Sequence, residues 1–158
     1  MISDIYNFIP ISDSLSTSGQ PTEEQLTDLA KEGYEVIINL ALHDDPRYSL
    51  PDESSYVKSL GMQYIHIPVQ FDKPLKSDLL LFFDTMESNN NRRVHLHCAA
   101  NMRVTVFLGL YFLLCKGLSK EEAFEPMWKI WKPDSVWAAF IDSMQAEFTS
   151  YNGFHRKA

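Results

Sequence analysis

The chain has 158 residues, of which 45% are hydrophobic, and its formal net charge at pH 7 is −7. This length suits one compact core and is too short to predict two, so we expect a single domain over residues 1–158. The negative charge, and the lack of any basic run longer than a pair, argue against nucleic-acid binding.

Neither membrane insertion nor export is predicted. The longest apolar run, residues 106–115, is half of the roughly 20 residues that a spanning helix needs. Residues 1–16 contain no basic and apolar stretches of the kind that form a signal peptide. Two cysteines are too few for a disulfide scaffold, and Cys115, inside an apolar helical run, is expected to be a packed, inert thiol. We therefore expect a cytoplasmic protein without a membrane partner.

Helices and strands are predicted to alternate from residue 21 onward. Pro21, a capping box formed by Thr22 and Gln25, and Gly33 bound the first helix. A strand over 34–42, a helix over 52–60, a strand over 62–69, a helix over 75–88 and a strand over 93–98 follow. This order predicts an α/β fold with a mostly parallel central sheet flanked by helices.

The remainder of the chain is predicted to be helical, in segments 105–117, 119–131 and 134–148. Aromatic residues recur there at roughly helical spacing, which is more typical of a core than of a binding surface. The expected core-facing aromatics are Trp128, Trp131, Trp137, Phe140 and Phe148.

Cys98 stands between the end of a strand and the start of a helix, where ligands of parallel sheets bind. The unpaired N–H groups of a helix amino terminus favour a thiolate. Arg103, five residues later, carries a planar set of donors that suits an oxyanion. This combination predicts a nucleophile beside an anion-binding loop.

Two other interpretations of Cys98 are a buried structural thiol and a metal ligand. A metal site would use His95, His97 and Cys98, with His66 as a further candidate ligand. Strand alternation sends the two histidines to one face and Cys98 to the other, so we expect no metal.

The stretch HCAANMRVT, residues 97–105, resembles the phosphate loop of cysteine-dependent tyrosine and dual-specificity phosphatases. The stretches LSTSGQPTEEQLTDLAKEGYEVIINL and GMQYIHIPV are similar to small bacterial phosphatase-like domains, also found fused to β-lactamase-like hydrolases. Together the similarity covers most of residues 14–117. It implies a phosphocysteine intermediate, no metal or organic cofactor, and a phosphorylated protein or small phosphoester as substrate. The implied phosphate-binding residues are Ala99, Ala100, Asn101, Met102, Arg103 and Val104.

The loop departs from that family in length, because four residues rather than five separate Cys98 from Arg103. Val104 stands where the family has its arginine, and Thr105 where it has its hydroxyl. We expect a tighter loop, because the arginine must converge on the anion. Asn101 replaces the loop glycine, and asparagine accepts a left-handed conformation better than most residues.

The resemblance also implies roles for the remaining catalytic residues. Asp72, in the proline-flanked loop 68–74, is the expected proton donor, although it could be an ordinary turn aspartate; Asp44 and Asp45 are reserve candidates. Thr105 either donates to the sulfur or caps the helix. His97 is expected to hold the cysteine and its loop through backbone hydrogen bonds.

Two alternative functions stay open at this point. The short loop is also similar to that of rhodanese-type sulfurtransferases, which handle a persulfide. A catalytically silent protein that binds phosphate or a phosphoprotein is the other alternative.

Overall fold

The computed structural model describes residues 1–47 and 49–155, with side chains up to residue 148. Within these residues the chain forms five strands and seven α-helices after a short 3-10 turn at Ile2–Asp4. The strands are β1 (Ile9–Ser12), β2 (Leu15–Ser18), β3 (Val36–Asn39), β4 (Gln63–His66) and β5 (Val94–His97). The helices are α1 (Glu23–Lys31), α2 (Glu53–Ser59), α3 (Lys76–Ser88), α4 (Met102–Cys115), α5 (Lys120–Ala123), α6 (Glu125–Ile130) and α7 (Ser135–His155).

The strands form one sheet in the order β1-β2-β5-β3-β4. The β1–β2 pair is antiparallel, and β2–β5, β5–β3 and β3–β4 are parallel. The predicted α/β fold is therefore confirmed, and β5 lies at the centre of the sheet. A central strand of a parallel sheet places the residue that follows it at the edge where ligands bind.

The β1–β2 hairpin was not predicted from the sequence. Residues 16–18 of β2 are buried although they are polar, because the side chains of Ser16 and Ser18 hydrogen-bond to the two ring nitrogens of His95, each at 2.7 Å. Hydrogen bonding rather than apolar burial thus secures this strand, and a hydrophobic pattern could not reveal it.

Side chains pack on both faces of the sheet. One cluster joins the sheet to α3, α4 and α7 around Phe82, Phe107 and Trp137, and a smaller one joins it to α1 and α2 around Leu26 and Leu29. Within the described residues, none of the helices is long and apolar enough to cross a bilayer.

Two predictions about side-chain burial are wrong. Trp128 is 59% exposed, because the short helix α6 buries only one face and Met127 occupies it. Cys115 is exposed at the end of α4 rather than packed. Partial burial of its sulfur, together with the nearby carboxylate of Glu87, nevertheless raises the pKa of Cys115 to about 11, so this thiol is protonated at neutral pH.

Candidate active site

Cys98 directly follows β5, at the carboxyl end of the parallel strands. Its N–H donates to the carbonyl of Ser18 on β2 at 3.4 Å, which continues the sheet to this residue. The side chain has no exposed surface and packs with Leu96 and Val104, on the α4 side of the sheet. His97 lies on the opposite face, as strand alternation predicts.

Asn101 shapes the loop that leads from Cys98 into α4. Its backbone is left-handed, with φ of 66° and ψ of 12°, so the conformation predicted for this residue is confirmed. Its side-chain amide donates to the carbonyl of Asn7 at 2.8 Å and to the hydroxyl of Thr17 at 2.9 Å. In return, the Asn7 side chain donates to the carbonyl of Ala100 at 3.0 Å. The loop is thus tied to the chain preceding β1.

The carbonyls of the loop accept hydrogen bonds from other described residues, whereas the N–H groups of the loop do not donate to any. The carbonyl of Ala99 accepts from the N–H of Gln20 at 3.0 Å, and Ala100 and Asn101 accept from Asn7 and Thr105. The backbone N–H groups of residues 99–104 make no hydrogen bond to any residue that the structure describes. Consecutive free N–H groups at a loop and helix amino terminus bind anions, so the loop retains the donors that a phosphate requires.

Arg103 lies in the first turn of α4 and is only 8% exposed. Its Nη1 donates to the carbonyl oxygen of Val69 at 2.9 Å, and its guanidinium carbon lies 5.8 Å from the ring centre of Phe71. The arginine therefore points toward the loop that follows β4.

The same loop carries Asp72. Residues 70–73 form a tight turn, closed by a hydrogen bond of 3.2 Å from the N–H of Lys73 to the carbonyl of Gln70. Asp72 is exposed at its tip, beside Phe71. The structure thus connects Arg103 with the Asp72 loop through Val69 and Phe71.

Thr105 is buried in α4, and its hydroxyl donates to the carbonyl of Asn101 at 2.8 Å. Asn101, not Thr105, is the residue at the helix amino terminus, so the alternative in which Thr105 caps the helix is wrong. A hydrogen bond from Thr105 to the sulfur would require the hydroxyl to turn away from this carbonyl.

A buried carboxylate that sequence reasoning missed lies behind His97. Glu53, the first residue of α2, places Oε2 at 2.7 Å from His97 Nε2 and accepts from Gln20 Nε2 through Oε1 at 2.7 Å. Burial would raise the pKa of Glu53, but the charge of His97 and hydrogen bonds from His97 and Gln20 outweigh it, so the pKa lies below its ordinary value. A glutamate opening a helix is normally a surface residue that interacts with the helix dipole, so the sequence held no signal for this pair.

The other candidates lie outside this arrangement. Asp45 pairs with Arg47 at 2.9 Å on the loop after β3, and hydrogen bonds from Arg47 lower the pKa of that carboxyl. His66 contacts the carbonyl of Ala41 at 2.6 Å and the ring of His43. In the part of the chain that the structure describes, no three His, Cys, Asp or Glu side chains form a group that could hold a metal ion.

Comparison with known proteins identifies the family. The family model described as "DSP-PTPase phosphatase fused to NAD+ Kinase" matches residues 12–109, which include Cys98 and Arg103. The chain belongs to this family. A DSP-PTPase assignment favours phosphatase chemistry over the sulfurtransferase alternative. A comparison with curated protein sequences finds no significant match.

Solved structures show the same fold as this DSP-PTPase chain. A phosphatase-like protein (DUF442) from Shewanella putrefaciens CN-32 is 29% identical, with a TM-score of 0.82 over 93% of this chain and 96% of that one. Tk-PTP in its active form is 20% identical, with a TM-score of 0.71 over 90% and 95% of the two chains. PTPMT1 is 17% identical, with a TM-score of 0.75 over 92% and 98%.

Proposed function

We propose that this chain is a cysteine-dependent phosphatase that hydrolyses phosphomonoesters through a phosphocysteine intermediate on Cys98. The observation that carries the proposal is the run of free N–H groups at residues 99–104, directly after a cysteine at a sheet edge. Donors fixed by the fold stabilise the charge of a transferring phosphoryl group without reorganising during the reaction.

In the first step, the thiolate of Cys98 attacks phosphorus while the bond from phosphorus to the leaving oxygen breaks. Asp72 gives its proton to that oxygen, so the product leaves as a neutral alcohol or phenol. In the second step, water attacks the phosphocysteine, the phosphorus–sulfur bond breaks, and the Asp72 carboxylate accepts the proton of the water. Thr105 eases this step by turning its hydroxyl away from the Asn101 carbonyl and donating it to the departing sulfur.

Arg103 has to exchange partners for this reaction. In the structure its Nη1 is bound to the Val69 carbonyl. A phosphate in the loop offers two anionic oxygens to the planar guanidinium, a stronger interaction than one neutral carbonyl. We infer that substrate binding draws Arg103 from Val69 to the phosphate.

The substrate class proposed is a phosphotyrosine, another phosphoprotein or a small phosphoester. PTPMT1, which shares the fold, has been solved in complex with PI(5)P. This supports keeping small phosphoesters beside phosphoproteins in the first screen.

A silent phosphate-binding protein is the second candidate, and the burial of Cys98 favours it. The sulfur has no exposed surface in this conformation, so a phosphoester reaches it only if the loop or Arg103 moves. A protein that lacked this movement would bind phosphate on the loop N–H groups without turnover.

The decisive experiment measures hydrolysis of an aryl phosphate in the presence of a metal chelator. We expect turnover that is lost in Cys98→Ser and retained in Cys115→Ser, which changes the other cysteine of the chain. Turnover that survives Cys98→Ser contradicts the proposal. Saturable binding of inorganic phosphate or vanadate without turnover at any pH replaces it with the silent binder.

A further inference from the structure

Glu53 and His97 form a buried pair directly behind the nucleophile. Glu53 is 1% exposed and His97 is fully buried. His97 contacts both Glu53, at 2.7 Å through Nε2, and the carbonyl oxygen of Cys98, at 3.1 Å through Nδ1. The Glu53 carboxylate is thus connected to the backbone of Cys98 by the imidazole ring of His97.

The hydrogen-bond partners of His97 indicate what each ring nitrogen does. A carbonyl oxygen only accepts hydrogen bonds, so Nδ1 carries a hydrogen. Glu53 Oε2 holds the opposite side of the ring at Nε2. The glutamate thereby fixes the ring with Nδ1 donating to the Cys98 carbonyl.

Other titratable groups around the pair do not replace Glu53. Burial lowers the pKa of His66 on β4 and lowers the pKa of His95 on β5 well below its ordinary value, so both are neutral at pH 7. Burial also raises the pKa of Tyr64, which faces Glu53 from β4. His43 approaches from the loop after β3 and is exposed. Among the described residues, Glu53 is therefore the carboxylate that accepts from the ring of His97.

We propose that Glu53 is a positioning residue for the nucleophile: it holds His97 so that Nδ1 donates to the Cys98 carbonyl, and this hydrogen bond favours the thiolate form of Cys98. The inference rests on the proposed function in that the thiolate is the attacking group. Gln20 completes the arrangement, since it donates to Glu53 and to the Ala99 carbonyl.

The test compares Glu53→Gln with Glu32→Gln, an exposed glutamate at the end of α1. Both are made in a Cys115→Ser background, so that Cys98 is the remaining thiol. The ultraviolet absorbance of the thiolate is followed against pH, with the Cys98→Ser protein as the blank. We expect Glu53→Gln to move the midpoint upward by about one pH unit, and Glu32→Gln to leave it unchanged.

A second pair of variants tests whether Glu53 acts through His97. In a His97→Asn background, Glu53→Gln should cause no further movement of the midpoint. An equal movement with and without His97 contradicts the proposed route. If Glu53→Gln does not fold, Glu53→Asp keeps the charge at shorter reach, and we expect a smaller movement in the same direction.

A folded Glu53→Gln or Glu53→Asp protein with an unchanged midpoint overturns the inference. The absorbance readout needs no phosphatase activity, so the two proposals fail separately. A moved midpoint in a protein that hydrolyses no phosphoester retains the role of Glu53 and ends the phosphatase proposal. Phosphatase activity with an unchanged midpoint retains the phosphatase proposal and ends the proposed role of Glu53.

Discussion

The indole N–H of Trp137 donates a hydrogen bond of 2.7 Å to the carbonyl oxygen of Phe71, 66 residues earlier in the chain. The ring of Phe71 also lies 5.7 Å from that of Trp131 and 5.9 Å from that of Trp137. Helix α7 thereby fixes the turn that carries Asp72. If Asp72 is the proton donor, the position of its carboxyl depends on this contact.

Trp137→Phe should therefore impair proton donation selectively, because it removes the N–H while keeping an aromatic ring. For an alkyl phosphate, whose leaving oxygen needs a proton, we expect kcat to fall on the order of 10-fold. This is less than the roughly 100-fold or larger loss expected when a general acid is removed altogether. Hydrolysis of an aryl phosphate with an acidic phenol should change little. Trp128→Phe, at an exposed tryptophan, is the control. Equal losses on both substrates would indicate a general structural effect instead.

Arg103→Lys should weaken phosphate binding by about 10- to 100-fold, because an ammonium cannot hold two phosphate oxygens in the planar geometry of a guanidinium. Competitive inhibition by inorganic phosphate or vanadate measures this loss. Arg92→Lys is the matched control, since Arg92 precedes β5 at the opposite end of the strand from Cys98. Unchanged inhibition in Arg103→Lys would mean that Arg103 stays on Val69 and takes no part in anion binding.

Asn101 offers a comparison of two small substitutions. Both Asn101→Gly and Asn101→Ala remove the bonds to Asn7 and Thr17, but only glycine accepts the left-handed backbone without strain. We expect the alanine variant to be less stable than the glycine variant by about 1 kcal/mol, measured by urea unfolding. Equal stabilities would show that the loop changes its conformation when the side chain is lost.

Glu53 should also make stability depend on pH. Its pKa in the folded protein is lower than its ordinary value of 4.5, so it stabilises the fold above that pH and loses this contribution as pH falls through the folded value. Urea unfolding of the wild type should therefore show decreasing stability below about pH 4.5. In Glu53→Ala, we expect a loss of about 3–5 kcal/mol at pH 7 and a weaker acid dependence. A variant with the stability and acid dependence of the wild type would contradict a stabilising role for the buried Glu53 carboxylate.

The sequence allowed prediction of the α/β fold, the position of Cys98 and the left-handed Asn101, because these depend on local patterns: strand runs, a capping box and the conformational tolerance of asparagine. The partners of Glu53 and Trp137 could not be predicted from such local patterns. Each is tied to the site by a hydrogen bond to a residue 44 or 66 positions away, and the neighbouring residues in the sequence do not indicate it. The hairpin was missed for a related reason, since Ser16 and Ser18 are buried by hydrogen bonds to His95.

Asn7 binds the loop after Cys98 from a position that precedes the family match, which begins at residue 12. Trp137, which bonds to the turn that carries Asp72, follows the last residue of the family match, residue 109. A version trimmed to the matched boundaries would lose both contacts, one of which holds the loop after Cys98 and the other the turn that carries Asp72. The segments that flank the family match therefore shape the candidate site, and removing either one should alter its geometry.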